Sequence, residues 1–194
     1  MVGIRNLGES MAATSDLEEM RGLPVIRGGM LVRLDGRNLH ELARLCAECT
    51  NFFQLVYGQP GGESTSKEIL GPVPPHVKTG CKHIFGIYMN DEMEGIVELL
   101  ENYPKTSEWY LGLLVIRPEC RGYGLGTSVW AGLKTWIQTG NGSIVRLMVQ
   151  KQNPNALRFW ERNDFEIEGD IHDRSSGVAS CAWKLRLSIQ TVFK

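Results

Sequence analysis

The order of apolar and polar positions changes rhythm several times along this chain, and each change marks an element. Met30 to Leu34 predicts a first strand, and Asp35 is a suitable helix cap after it. Leu39, Leu42, Cys46, Cys49, Phe53 and Val56 recur every three or four residues, which predicts one helix running to about Tyr57. Gly58 to Pro75 breaks the rhythm, apart from a short helical piece around Ser66 to Leu70. Ile84 to Met89 and Gly95 to Leu100 predict a hairpin about Asn90-Asp91-Glu92. Glu108 to Ile116 predicts a strand whose last four residues, Leu113 to Ile116, are all apolar, as in a strand buried on both faces. Pro118 ends it, having no N–H for a ladder. Leu125, Val129, Leu133, Trp136 and Ile137 form one face of a helix that closes at Gly140-Asn141-Gly142.

Ser143 to Val149 predicts the strand after that helix, and a right-handed crossover makes it parallel to the strand before. Asn153 caps a further helix with Pro154 at its first position. Phe165 to Ile171 and Val178 to Leu187 predict a closing hairpin around Ser175-Ser176-Gly177. The expected fold class is α/β with an α+β layout: a mixed central sheet with a parallel βαβ crossover between two antiparallel portions. Residues 1–28 are polar and irregular and are expected to form an extension outside the core fold, the alternative being a segment folded over the domain or a partner; residues 29–190 are expected to form a single domain.

Composition narrows the function classes. The 194 residues carry a net charge of -1, which favours neither nucleic acid nor an acidic membrane as a partner. No run of 18 apolar residues and no apolar leader is visible, and the five cysteines are an odd number in a chain too large to need staples. A cytoplasmic setting is expected. Cys46 and Cys49 form C-x-x-C, but both lie on the apolar stripe with no second Cys/His pair at ligand spacing, so core thiols are expected and no metal.

The candidate chemistry lies at Arg121-Gly122-Tyr123-Gly124-Leu125-Gly126-Thr127, between the apolar strand and its helix. A helix start leaves N–H groups without partners and carries partial positive charge. Glycines let a phosphate approach the backbone. The alternative is a tight turn that merely needs positive φ; three glycines in five residues behind Arg121 favour the anion site. The spacing G-x-G-x-G is not the dinucleotide fingerprint, and no G-x-x-x-x-G-K-[ST] run exists.

Arg121, Gly124 and Gly126 match R-x-x-G-x-G, and Leu114-Val115-Ile116-Arg117-Pro118 matches L-x-V-x-P with Ile for Val. Asn153-Pro154-Asn155-Ala156 matches N-x-x-A, followed by Phe159-Trp160 and Phe165. In these three motifs the chain resembles the GNAT superfamily of acyl-CoA-dependent N-acyltransferases over residues 30 to 188. The resemblance implies acetyl-CoA as cosubstrate, lying where the two central parallel strands splay. It assigns the backbone of Leu114, Val115 and Ile116 to the pantetheine arm and Arg121, Gly122, Tyr123, Gly124, Leu125, Gly126 and Thr127 to the pyrophosphate. It also assigns Asn153 to pantetheine and places Trp160 beside the sulfur, against the thioester arm.

The implied activity is transfer of an acetyl group to a primary amine of a small molecule or peptide, by direct attack in a ternary complex. A regulatory or sensor module that binds acetyl-CoA with little turnover is the alternative, and transfer of a longer acyl group is a third possibility. Family members are often homodimers. Glu98, Glu101 and Glu108 are candidate bases, and Tyr110 a candidate proton source for the thiolate. Plain alternation along the strand would set Glu108 and Tyr110 on one face with Leu114 and Ile116. The chain departs from the family pattern at three positions. Met148 stands where some members have Glu, Trp160 where members with a general acid have Tyr, and Asp164 where Gly usually precedes the final Phe.

Overall fold

The structure is a computed structural model, and it describes residues 23–73, 77–173 and 180–189. Eight strands form one sheet: β1 (Val25–Ile26), β2 (Gly29–Arg33), β3 (Lys82–Met89), β4 (Glu92–Glu101), β5 (Glu108–Ile116), β6 (Ile144–Gln150), β7 (Glu166–Asp173) and β8 (Ser180–Ser188). Their spatial order is β1-β2-β3-β4-β5-β6-β8-β7. All neighbours are antiparallel except β5 and β6, the expected parallel crossover. Five α-helices cover the two faces: α1 (Leu39–Glu48), α2 (Thr50–Tyr57), α3 (Glu63–Ile69), α4 (Leu125–Thr139) and α5 (Pro154–Glu161).

Two cores follow from the pleat. On one face Phe85, Val97, Leu99, Trp109, Leu111 and Leu185 meet Val129, Leu133 and Ile137 of α4 and Trp160 of α5. On the other, Ile84, Ile96, Leu113 and Val115 meet Leu42, Leu45 and Cys46 of α1, Phe53 of α2 and Ile69 of α3. The β3–β4 turn has both Asn90 and Asp91 at positive φ, the twist that suits a two-residue hairpin.

Two expectations need correction here. The stripe from Leu39 to Val56 is not one helix. It breaks at Cys49, whose ψ of 23° leaves the helical range, and α2 restarts at Thr50. The stripe persists through the break because Cys46, Cys49 and Phe53 stay in one core, so spacing alone conceals it. Nor does the expected extension run to residue 28. Val25 and Ile26 pair with Met30 and Gly29, and Ile26 is buried in the core under α4. This strap is fastened to α4: Arg27 N–H donates to Ser128 Oγ at 2.8 Å, and Ser128 Oγ to the Arg27 carbonyl at 3.3 Å. A side chain at Gly132 would run into the Val25 carbonyl. Residues 1–22 and the Ser175-Ser176-Gly177 turn lie outside the described residues.

Candidate active site

The site is built where β5 and β6 part. Their parallel pairing runs from Glu108–Ile144 to Leu111–Leu147 and then stops, although β5 continues to Ile116 and β6 to Gln150. Gly112 is the cause on the β5 side. Glu98 pairs with Leu113 and Leu99 with Leu111, so Gly112 is an extra residue with no partner on β4. Such a bulge kinks a strand and turns it from its neighbour. On the β4 side pairing resumes, and the Arg117 N–H bonds the Glu94 carbonyl at 2.8 Å. Alternation from that bond turns the N–H and C=O of Leu114 and Ile116 into the gap.

The bulge also overturns the expected grouping of side chains. Trp109 and Leu111 lie in the α4 core, but Leu113 and Val115 lie in the α1–α3 core, and Leu114 and Ile116 return to the α4 side. Glu108 and Tyr110 therefore face away from Leu114 and Ile116.

At the top of the gap the chain turns through a short 3-10 segment, Pro118–Cys120, into the glycine loop. Arg117 holds its entry, in ion pairs with Glu48 at 2.9 Å and Glu94 at 3.2 Å. Gly122 and Gly124 both have φ near +85°, and nothing lies within 4 Å of where their Cβ atoms would be. Gly124 is the N-cap of α4, and no side chain caps it, so its first N–H groups point out with no partner from that residue. Gly126 lies within the helix, where a Cβ would meet the Phe159 ring at 3.3 Å. Tyr123 is 87% exposed, Thr127 is exposed, and Leu125 packs partly into the core. Arg121 donates its Nε to the Ile116 carbonyl at 2.7 Å, tying the loop to the strand end. An open loop with bare N–H groups and an unpaired strand edge both fit the phosphate and amide groups of acetyl-CoA.

Asn153 caps α5 as expected: its Oδ1 accepts from the Ala156 N–H at 3.1 Å, leaving its amide NH2 to donate elsewhere. Trp160, expected against the thioester arm, is largely enclosed. It is 6% exposed and sits among Trp130, Phe159 and Phe165, with ring centroids 5.6, 4.7 and 5.1 Å away. Its size and the apolar surfaces of α4 and Phe165 draw it inward, so it acts as core.

The three carboxylates separate. Glu108 is buried and accepts from Arg146 Nε at 2.8 Å; Arg146 also pairs with Glu168. Glu101 faces the α4 side and bonds His83 at 3.0 Å. Arg33 can only donate to His83 Nδ1, so the imidazole of this arrangement is neutral and donates Nε2–H to Glu101. Burial holds that histidine below its ordinary pKa.

Glu98 alone of the three lies at the gap. Its Oε1 is 3.0 Å from where a Cβ on Gly112 would be, so the glycine makes room for it. Burial raises its pKa, and Lys82 Nζ, 3.6 Å away, partly opposes the rise. Tyr110 and Tyr57 lie near it, and Tyr103 meets Tyr110. Burial first, then Tyr103, Tyr57 and Glu98, pushes the Tyr110 phenol up to about 12. Tyr57, Lys82, Tyr103 and Gly112 were not singled out from the sequence; an isolated glycine inside a strand was the available sign of a bulge. Met148 is 49% exposed on the end of β6 that pairs with β8 but no longer with β5. Among the described residues no group of three or more His, Cys, Asp or Glu is placed to hold a metal ion.

Comparison with known proteins agrees with this geometry. Residues 47–165 match the model of the acetyltransferase (GNAT) family. An uncharacterized N-acetyltransferase of Bacillus subtilis (strain 168), YobR, is 27% identical over 125 residues, 63% of this chain and 47% of that protein, so the match spans about half the relative's length. The acetyltransferase that modifies the N-terminal serine of ribosomal protein L7/L12 in Salmonella typhimurium superposes with a TM-score of 0.72 at 18% identity, over 87% of this chain and 99% of that one. Spermidine N-acetyltransferase from Vibrio cholerae, solved in complex with CoA and spermine, superposes with a TM-score of 0.67 at 19% identity, over 84% and 97%. The family match covers well over half the chain, on the splayed strands and glycine loop described above, and the chain belongs to the GNAT acetyltransferase family.

Proposed function

We propose that this protein transfers the acetyl group of acetyl-CoA to a primary amine of a small molecule or peptide, by direct attack in a ternary complex. The observation that carries the reading is the end of β5–β6 pairing at Leu111–Leu147, directly beside Glu98. Acetyl-CoA supplies the acetyl group as a thioester. Leu114 offers its N–H and C=O to its amide-bearing arm, the glycine loop and the α4 start receive its phosphates, and the Ile116 N–H polarises the acetyl carbonyl.

Glu98 takes the proton of the incoming ammonium. Its raised pKa brings it nearer the working range of a base at neutral pH. The freed amine forms an N–C bond to the acetyl carbon as the C–S bond breaks; the nitrogen gives its second proton to solvent, and CoA leaves as a thiolate that solvent protonates. Tyr110, at about 12, holds its proton too tightly to release it to a thiol with a reference pKa of ~8.5. Its hydroxyl oxygen accepts a hydrogen bond from the incoming ammonium. The N-acetyl product carries no positive charge and is released from the carboxylate.

Calorimetric titration of CoA, paired with thiol release in the presence of acceptor amines, tests the reading. Wild type should bind CoA and release thiol, and Gly124→Val should lose binding because its φ of +86° and the phosphate approach both exclude a branched Cβ. Unchanged affinity in Gly124→Val would sink the cofactor assignment. The burial of Trp160 at the family's Tyr position favours one second reading, a module that binds acetyl-CoA with little turnover. Tight CoA binding with no thiol release from any amine would select it.

A further inference from the structure

We infer that the acceptor is an alkylammonium whose chain carries no carboxylate near the amine, seated in a cage of Tyr57, Tyr103 and Tyr110 beside Glu98. This rests on the acetyl-transfer reading of the same site. Tyr110 and Glu98 project on one face of the sheet, set by the pairs Leu100–Tyr110 and Glu98–Leu113 on either side of the bulge. The Tyr103 ring meets the Tyr110 ring edge-on, with centroids 5.8 Å apart and planes at 86°. The Tyr57 ring is stacked on Phe53 at 5.9 Å and is 43% exposed. It stands close enough to Glu98 and Tyr110 for their charges to act on one another. Tyrosine rings clustered near a carboxylate form a site for a cation, because each ring face carries the negative part of the quadrupole.

The surrounding charge has the same sign. Glu68 of α3 acts on Tyr57 together with Glu98. Tyr57 is also the last residue of α2, where the helix carries partial negative charge. Lys82 opposes them, but it is held between Glu98 at 3.6 Å and the Gly71 carbonyl at 3.3 Å. A carboxylate beside the acceptor amine would therefore meet two carboxylates, ring faces and a helix C-terminus. A second ammonium farther along the chain would meet Glu68.

A matched series separates these cases: butylamine, 1,4-diaminobutane and 4-aminobutanoate differ at one end only. Each is titrated against the protein alone and against the protein saturated with CoA, and each is assayed for acetyl transfer. The expected order of affinity is diaminobutane, then butylamine, then aminobutanoate, with about tenfold or more between first and last. Tyr57→Leu should weaken diaminobutane about tenfold and leave CoA affinity unchanged, while Tyr57→Phe, which keeps the ring, should stay within about twofold. Equal or better binding of aminobutanoate, no binding of any of the three, or Tyr57→Leu equal to wild type would each overturn the inference. Failure of CoA to bind would remove the acetyl-transfer reading instead, and the amine titrations on the protein alone would still decide the cage.

Discussion

At the scale of single residues, the site turns on which carboxylate is free. Glu98→Gln should lower kcat/KM by about 10²–10⁴-fold with acetyl-CoA affinity unchanged, read from steady-state rates against a CoA titration. Glu108→Gln should do the opposite. It removes the charge from a buried bond to Arg146 and should cost about 1–3 kcal/mol in urea unfolding, with turnover near wild type. The pH dependence has a definite sign. Glu98 binds its proton more tightly folded than unfolded, because burial disfavours the charged form. Its contribution to stability is therefore complete below the ordinary carboxylate range and is lost as pH rises through its raised value. Activity runs the other way: the acid limb of kcat/KM should lie above the reference of about 4.3, and Glu98→Gln should flatten it. Trp160→Phe belongs with Glu108, since its ring is core; it should cost about 1–2 kcal/mol and leave CoA affinity unchanged. The sequence showed all three glutamates but could not rank them. Their ranking depends on Arg146, His83 and Gly112, which come near them only through strand pairing.

At the scale of elements, the parts readable in advance were those whose chemistry is local. The glycine loop, the Asn153 cap with Pro154 behind it, and the bounds of β5 each need only a few adjacent residues. Gly124→Val tests the loop as a unit: CoA affinity should fall at least about tenfold while far-UV circular dichroism stays that of the folded sheet. Two features escaped because the hydrophobic spacing passes through them unchanged. One is the break at Cys49, where the stripe continues across two helices. Cys49 is buried and its thiol is pushed up to about 11, chiefly by burial, so it remains an unreactive part of the core. The other is the bulge at Gly112, which leaves Trp109, Leu111, Leu113 and Val115 reading as one face although they serve two.

At the scale of the whole molecule, the mixed sheet with its single parallel pair was legible from the order of strand and helix rhythms. The strap of residues 25–27 was not, because a two-residue strand has too little pattern to stand out from a polar segment. It packs against α4 at Ser128 and Gly132, so it holds the helix whose start forms the glycine-loop site. Gly132→Ala should push the Val25 carbonyl off the helix, lower stability by about 1–3 kcal/mol and open the chain near Arg27 to limited trypsin cleavage. An intact strap with wild-type stability in that variant would refute the contact. The bulge has a meaning at this scale as well, in terms of heredity. Three bases removed at Gly112 would leave the gene in frame, yet the side chains from Leu113 to Ile116 would exchange cores. The glycine keeps a second frame, that of the faces of the sheet, and one codon holds it.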